Sequence, residues 1–167
     1  MRKDLSIKIG AISALMIGVL ALIVPVGAEN VASYSFNFAG PSITKHSGPE
    51  ILYPPYMDVK DGSYCIVTGA GTFNPSTLKA RGGGVFRHIN YDGALYCVGV
   101  WKVKEFVSFD GDTLVVMAEF RRIFSPIPGY PPMVVGIFPL VISSNGWILP
   151  TVFTEIESGQ VFFHLQD

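Results

Sequence analysis

Gly82-Gly83-Gly84-Val85-Phe86-Arg87-His88-Ile89-Asn90 runs into Tyr91-Asp92-Gly93-Ala94, and Leu95-Tyr96-Cys97-Val98-Gly99-Val100-Trp101-Lys102-Val103 follows at once. Asp-Gly between two runs rich in β-branched and aromatic residues is a hairpin signal, because both central residues of a type I′ turn need positive φ. The arrangement recurs at Asp110-Gly111 and Asn145-Gly146, with Ser158-Gly159 as a weaker fourth turn and Asn74-Pro75-Ser76-Thr77 as a longer loop. Read outward from these turns, the pattern predicts strands at roughly 31–38, 63–73, 82–90, 95–109, 112–124, 133–143, 147–156 and 160–165. The fold expected is all-β, an antiparallel meander of about eight strands. Closing it into a β-barrel removes the exposed edges, and an open β-sandwich is the alternative.

Residues 1–28 read as a signal peptide. Arg2, Lys3 and Lys8 make a positive start, Ile9 to Val24 is uncharged and apolar, and Val26-Gly27-Ala28 places small residues at a cleavage site. The apolar run is shorter than the roughly 20 residues of a spanning helix. Cleavage leaves 9 basic and 12 acidic side chains, a net charge of −3. This balance gives no electrostatic case for nucleic acid. No later segment could span a bilayer as a helix, so the expected location is secreted or extracytoplasmic. Residues 29–61 read as an irregular N-terminal arm, interrupted by prolines, with one strand at Tyr34–Phe38; residues 62–167 form the antiparallel β-domain. Hydrophobic residues reach 49% and charged ones only 15%, which excludes a disordered chain.

Two-residue hairpins fix which residues face each other. Across Asp110-Gly111, one face pairs Val107 with Leu114, Glu105 with Val116, Val103 with Ala118, Trp101 with Phe120 and Gly99 with Arg122. This more apolar face is taken as inward. Lys102 then faces Glu119 on the outside as an ion pair. Across Asp92-Gly93, the inward face continues with His88 opposite Cys97, Phe86 opposite Gly99 and Gly84 opposite Trp101. The glycine run beside Trp101 would let the indole lie flat across the neighbouring strand. Three polar side chains share the inward register: His88, Glu105 and Arg122. They are either structural, each satisfied locally, or the floor of a pocket with an anion-binding Arg and a titratable His. On the pocket reading, His88, Arg122, Trp101, Phe86 and Phe120 are the ligand-binding candidates.

No catalytic constellation, cofactor motif or metal-ligand spacing is present. The three histidines, His46, His88 and His164, lie on separate segments, and Gly-x-Ser-x-Gly is absent. Cys65 and Cys97 are candidates for a disulfide, as two cysteines of an exported protein usually are. The meander argues against the bond by placing them two strands apart, about 9–10 Å, beyond the ~7 Å that a disulfide spans.

Gly69-Ala70-Gly71-Thr72-Phe73, Gly82-Gly83-Gly84-Val85-Phe86-Arg87-His88, Gly93, Gly99-Val100-Trp101 and Phe106-Val107-Ser108-Phe109 occur in that order between residues 67 and 109. This resembles small secreted all-β proteins of bacteria and archaea that carry no assigned activity. A looser likeness connects the pattern with the eight-stranded barrels of dirigent proteins and allene oxide cyclases. The resemblance implies the fold and export, and transfers no site residue.

The expected function is a non-catalytic, exported barrel that binds a small, partly apolar and anionic ligand. The alternatives are a structural or protein-interaction module of the cell surface and, less favoured, an enzyme of the cyclase or isomerase kind. N-terminal sequencing of the exported protein is expected to begin at Glu29 or within a few residues of it; a mature chain that keeps Met1 contradicts the signal-peptide reading.

Overall fold

The computed structural model describes residues 32–53 and 57–166; the expected signal peptide and its cleavage site lie outside them. Twelve strands follow one another: β1 (Ser33–Phe38), β2 (Ser42–Lys45), β3 (Ile51–Tyr53), β4 (Met57–Val59), β5 (Tyr64–Asn74), β6 (Lys79–Ile89), β7 (Leu95–Phe109), β8 (Thr113–Phe124), β9 (Met133–Ser143), β10 (Gly146–Ile148), β11 (Glu155–Ser158) and β12 (Val161–Gln166). All pairings are antiparallel. Among the described residues, no helix is long and apolar enough to cross a membrane.

The order across the sheet is β10-β9-β8-β7-β6-β5-β1-β12. β1 and β2 pair with opposite ends of β5, and β11 and β12 pair with β2 and β1 in turn. Each of these couples is therefore one long strand with a bend. Counted so, eight strands run in chain order around a nearly closed barrel. The remaining seam lies between β10 and the bent β11–β12 strand. Single bonds bridge it instead of a ladder. Val161 N–H donates across it to Ser144 O (3.0 Å), and Trp147 Nε1–H of β10 donates past it to Ser42 O of β2 (3.1 Å).

Several expectations change. Of the arm expected at 29–61, residues 33–45 are part of the wall: Tyr34–Phe38 is a strand as expected, Ser42–Lys45 continues it beyond Pro41, and β3 and β4 form a separate small hairpin. The strand expected at 147–156 stops at Ile148, just ahead of Pro150, and a turn at Leu149–Phe153 leads to β11. Ser158-Gly159 is not a hairpin; it is the bend between β11 and β12, where Gly159 takes φ +157° and a Cβ would run into Ser42. The turn after β7 is also offset. Phe109 faces Leu114, not Thr113 or Asp112, and two one-residue bulges in β7, near Lys104 and Val107, restore the expected register from Val103–Ala118 onward. Glu105 is consequently exposed, Phe106 is buried in its place and Val107 faces solvent.

Beyond the bulges the register holds. Trp101 faces Phe120, Gly99 faces Arg122, and His88, Phe86 and Gly84 face Cys97, Gly99 and Trp101. Lys102 does face Glu119, but the carboxylate's ion pair is with Lys104, at 3.4 Å. The core is aromatic, and its rings lie over glycines on neighbouring strands. The Trp101 indole reaches across Gly84 of β6 to β5, where Nε1–H donates to Thr68 O (3.0 Å). A Cβ on Gly69 would collide with that indole and with Gly83 O; one on Gly71 would meet the Phe36 ring, and one on Gly99 the Phe86 ring.

Gly69→Ala should therefore destabilise the protein by about 1–3 kcal/mol, the usual range for overpacking a filled core. Gly40→Ala, where nothing lies within 4 Å of the new methyl group, should change stability by under ~0.5 kcal/mol. Urea unfolding of the two variants checks the contrast.

Candidate functional site

All five pocket candidates are buried: Phe86, His88, Trp101, Phe120 and Arg122. Three of them, Phe86, His88 and Phe120, do come together around an internal cavity, which Cys65, Cys97 and Phe153 also line. The cavity measures about 30 Å³. That is room for one water molecule and far below the several hundred Å³ of a small-molecule site. Trp101 and Arg122 do not line it. Trp101 packs between Phe36 and Phe38, with ring centroids at 6.4 and 6.2 Å. Phe86 and Phe120 meet edge to face at 5.4 Å.

Arg122 is fully buried, its Nε–H donates to Pro131 O (2.9 Å) and its guanidinium lies 5.0 Å from the centre of the Tyr130 ring. Tyr130 in turn meets Tyr96 edge to face at 5.5 Å. Tyr130 of the 125–131 loop thus packs on a buried cation, and Arg122 holds that loop against the barrel through the Pro131 carbonyl.

His88 lies tilted against Tyr96, with ring centroids at 4.5 Å, and meets Phe153 edge to face at 5.3 Å. Its Nε2 has no hydrogen-bond partner among the described residues. Burial, with a smaller push from His46, lowers its pKa from 6.5 to about 3. Cys65 and Cys97 flank His88 on the adjacent strands, each directly opposite it, and both are buried free thiols. The intervening strand keeps them from bonding, as the register implied. Burial raises both thiols, Cys97 to about 11 with nearby Arg122 pulling the other way, so neither is a ready nucleophile. Among the described residues, no group of three or more His, Cys, Asp or Glu is placed to hold a metal ion.

The larger concavity, about 600 Å³, lies elsewhere. The β6–β7 ladder ends at Gly83–Lys102. Below that point, Lys79–Gly82 stays with β5, while the bulged end of β7 stays with β8. Bulges bend a strand and increase its twist, and these turn the β7–β8 hairpin over the barrel mouth. Phe109 there touches Tyr34, Phe73 and Phe163 at 5.0, 4.7 and 5.7 Å. The two strands part, and a groove opens between them. Its floor includes Phe73, Ala80 and Phe106; Lys79, Arg81 and Lys104 supply three cations around it, and Glu105 one carboxylate. Arg81 Nε–H donates to Thr72 Oγ1 (3.0 Å), which orients the guanidinium.

The sequence reading missed this groove. It began the third strand at residue 82 and so left Lys79 and Arg81 in no element. The alternation Lys79-Ala80-Arg81 is the signal that extends the strand: two outward cations around one inward small residue.

No family model, curated protein or solved structure matches the chain.

The depressed pKa of His88 makes a pH prediction. The folded state holds the ring neutral while the unfolded chain protonates near 6.5, so this stability is present above pH 6.5 and is lost as pH falls toward 3. The slope approaches one proton, ~1.4 kcal/mol per pH unit. Replacing His88 with Gln should remove that slope between pH 6 and 4, read from urea midpoints across the range; a slope unchanged in the variant contradicts the assignment.

Proposed function

We propose that the protein is an exported, non-catalytic binding barrel that holds a small, partly apolar anion in the groove between β6 and β7. The observation that carries this reading is the combination of three cations, Lys79, Arg81 and Lys104, above an apolar floor of Phe73, Ala80 and Phe106, at the place where the wall parts. An amphipathic carboxylate fits both halves. Its head meets the guanidinium of Arg81 and the two ammonium groups, and its chain lies against half-buried Ala80 and exposed Leu78, with the Phe73 and Phe106 rings buried beneath. The interior does not support the same reading, because its aromatic side chains leave room for no organic ligand. Arg122 is accordingly a structural residue here, and export rests on the residues of the N-terminal segment.

A second reading has its own observation. The outer face carries an apolar row in which Val85 of β6 faces Val100 of β7, with Ile123, Phe124 and Ile137 exposed nearby on β8 and β9. Such a face suits an interaction module. Sedimentation of the purified protein over a concentration series separates a self-associating module from a monomeric binder.

Isothermal titration with decanoate below its micellar range tests the groove. Arg81→Glu should weaken binding by about tenfold or more, in line with the loss of a charge-assisted hydrogen bond and its replacement by repulsion. Arg122→Leu should lower stability and leave decanoate affinity in the surviving folded protein unchanged. The reading fails if decanoate does not bind, or if Arg122→Leu abolishes binding while Arg81→Glu leaves it intact.

A further inference from the structure

Leu78 is the one non-glycine residue with positive φ among the described residues, at +53°. It sits at the tip of the β5–β6 hairpin, in a turn closed by Thr77 N–H to Asn74 Oδ1 (2.9 Å). A left-handed backbone brings a Cβ too close to the following carbonyl, which is why Gly or Asn normally fills such a position. Solvation points the same way: the Leu78 side chain is 67% exposed. Local conformation and water thus both disfavour leucine at this site. Lys79 follows directly, and Leu78 lines the same groove as Arg81 and Lys104.

An exposed apolar residue at a hairpin tip, beside a groove that carries three cations, matches the boundary of a bilayer with anionic headgroups. The apolar side chain enters the acyl-chain boundary while the cations stay with the headgroups. We infer that the β5–β6 hairpin tip docks the barrel onto an anionic membrane surface, with Leu78 inserted and Lys79, Arg81 and Lys104 at the headgroups. The inference shares its cations with the groove reading and names the bilayer as the source of the amphiphile. Carboxylates temper the attraction: Glu105 in the groove, Glu119 at 3.4 Å from Lys104, and exposed Asp110 and Asp112 in the β7–β8 turn at the same end of the barrel. The net pull is therefore modest and depends on Leu78 as well as on charge.

Co-sedimentation of the exported chain with vesicles of phosphatidylcholine, with and without phosphatidylglycerol, tests it. Binding is expected to the anionic vesicles only, and to weaken as salt is raised. Leu78→Asn suits the backbone better, so it should melt no lower than the parent protein, yet its partition should fall about tenfold with the lost apolar insertion. Lys79→Gln and Arg81→Gln should each cost about fivefold, the weight of one basic residue at an anionic surface. Equal binding to both vesicles, binding to neither, or full binding by Leu78→Asn overturns the inference. Decanoate binding in the groove together with failure on vesicles removes the membrane docking and leaves the groove reading; vesicle binding without decanoate binding does the reverse.

Discussion

The Trp101 indole, laid across β6 onto β5, is the contact on which the barrel is organised. Its Nε1–H reaches Thr68 O, and the ring occupies the space that a side chain at Gly69 would otherwise fill, while a Cβ on Gly84 would run into the β5 backbone at Thr68 and Gly69. One side chain thereby ties three consecutive strands and settles their register to the residue, because a slip of one position would bring a Cβ or a carbonyl under the ring. Phe36 over Gly71 and Phe86 over Gly99 repeat the device on neighbouring strands. Large rings over bare glycine backbone let strands curve tightly while the interior stays filled, the arrangement known as aromatic rescue. The same filling explains why the barrel interior holds only a cavity of about 30 Å³.

The two ends of the barrel are finished differently. At one end, the bulges of β7 fold its hairpin over the mouth, and an aromatic cluster of Tyr34, Phe73, Phe109 and Phe163 seals it. Bending β7 away from β6 is also what opens the groove, so the groove follows from closing that end. At the other end, polar groups are carried inside and satisfied by loops. The ring nitrogens of His46 face Val152 O and Pro49 O, Arg122 bonds Pro131 O, and Ser125 Oγ donates to Tyr96 O (2.7 Å). Each ties an irregular segment to the strands, where a buried unpaired group would be costly.

The seam between β10 and β11–β12 shows how little is needed to complete such a wall. Pro150 cannot continue a ladder, and the chain turns out of the sheet after Ile148. Trp147 then plugs the gap, fully buried, with its indole N–H on Ser42 O, while Thr44 Oγ1 donates to Trp147 O. These two side chain to backbone bonds to β2, with Val161 N–H on Ser144 O across the seam itself, stand where a strand pairing would and keep the edge from offering a template to another chain.

The sequence by itself determined the long strands from Tyr64 to Ser143, their antiparallel order and the inward face of Trp101, Phe86, His88, Phe120 and Arg122, because hairpin signals and a two-residue period are local properties of the chain. The separation of Cys65 from Cys97 followed from the same register. Tertiary structure alone decided what lies between the inward residues. Whether a barrel encloses a pocket depends on how rings from several strands share one volume, and no periodicity reports that. It also decided the fate of Glu105: the bulges near Lys104 and Val107 reconcile an offset turn with a register pinned at Trp101, a conflict between distant parts of the chain. The groove of Lys79, Arg81 and Lys104 follows from that reconciliation. Its residues come from two strands that part, and strand patterns predict where chains pair, not where they separate.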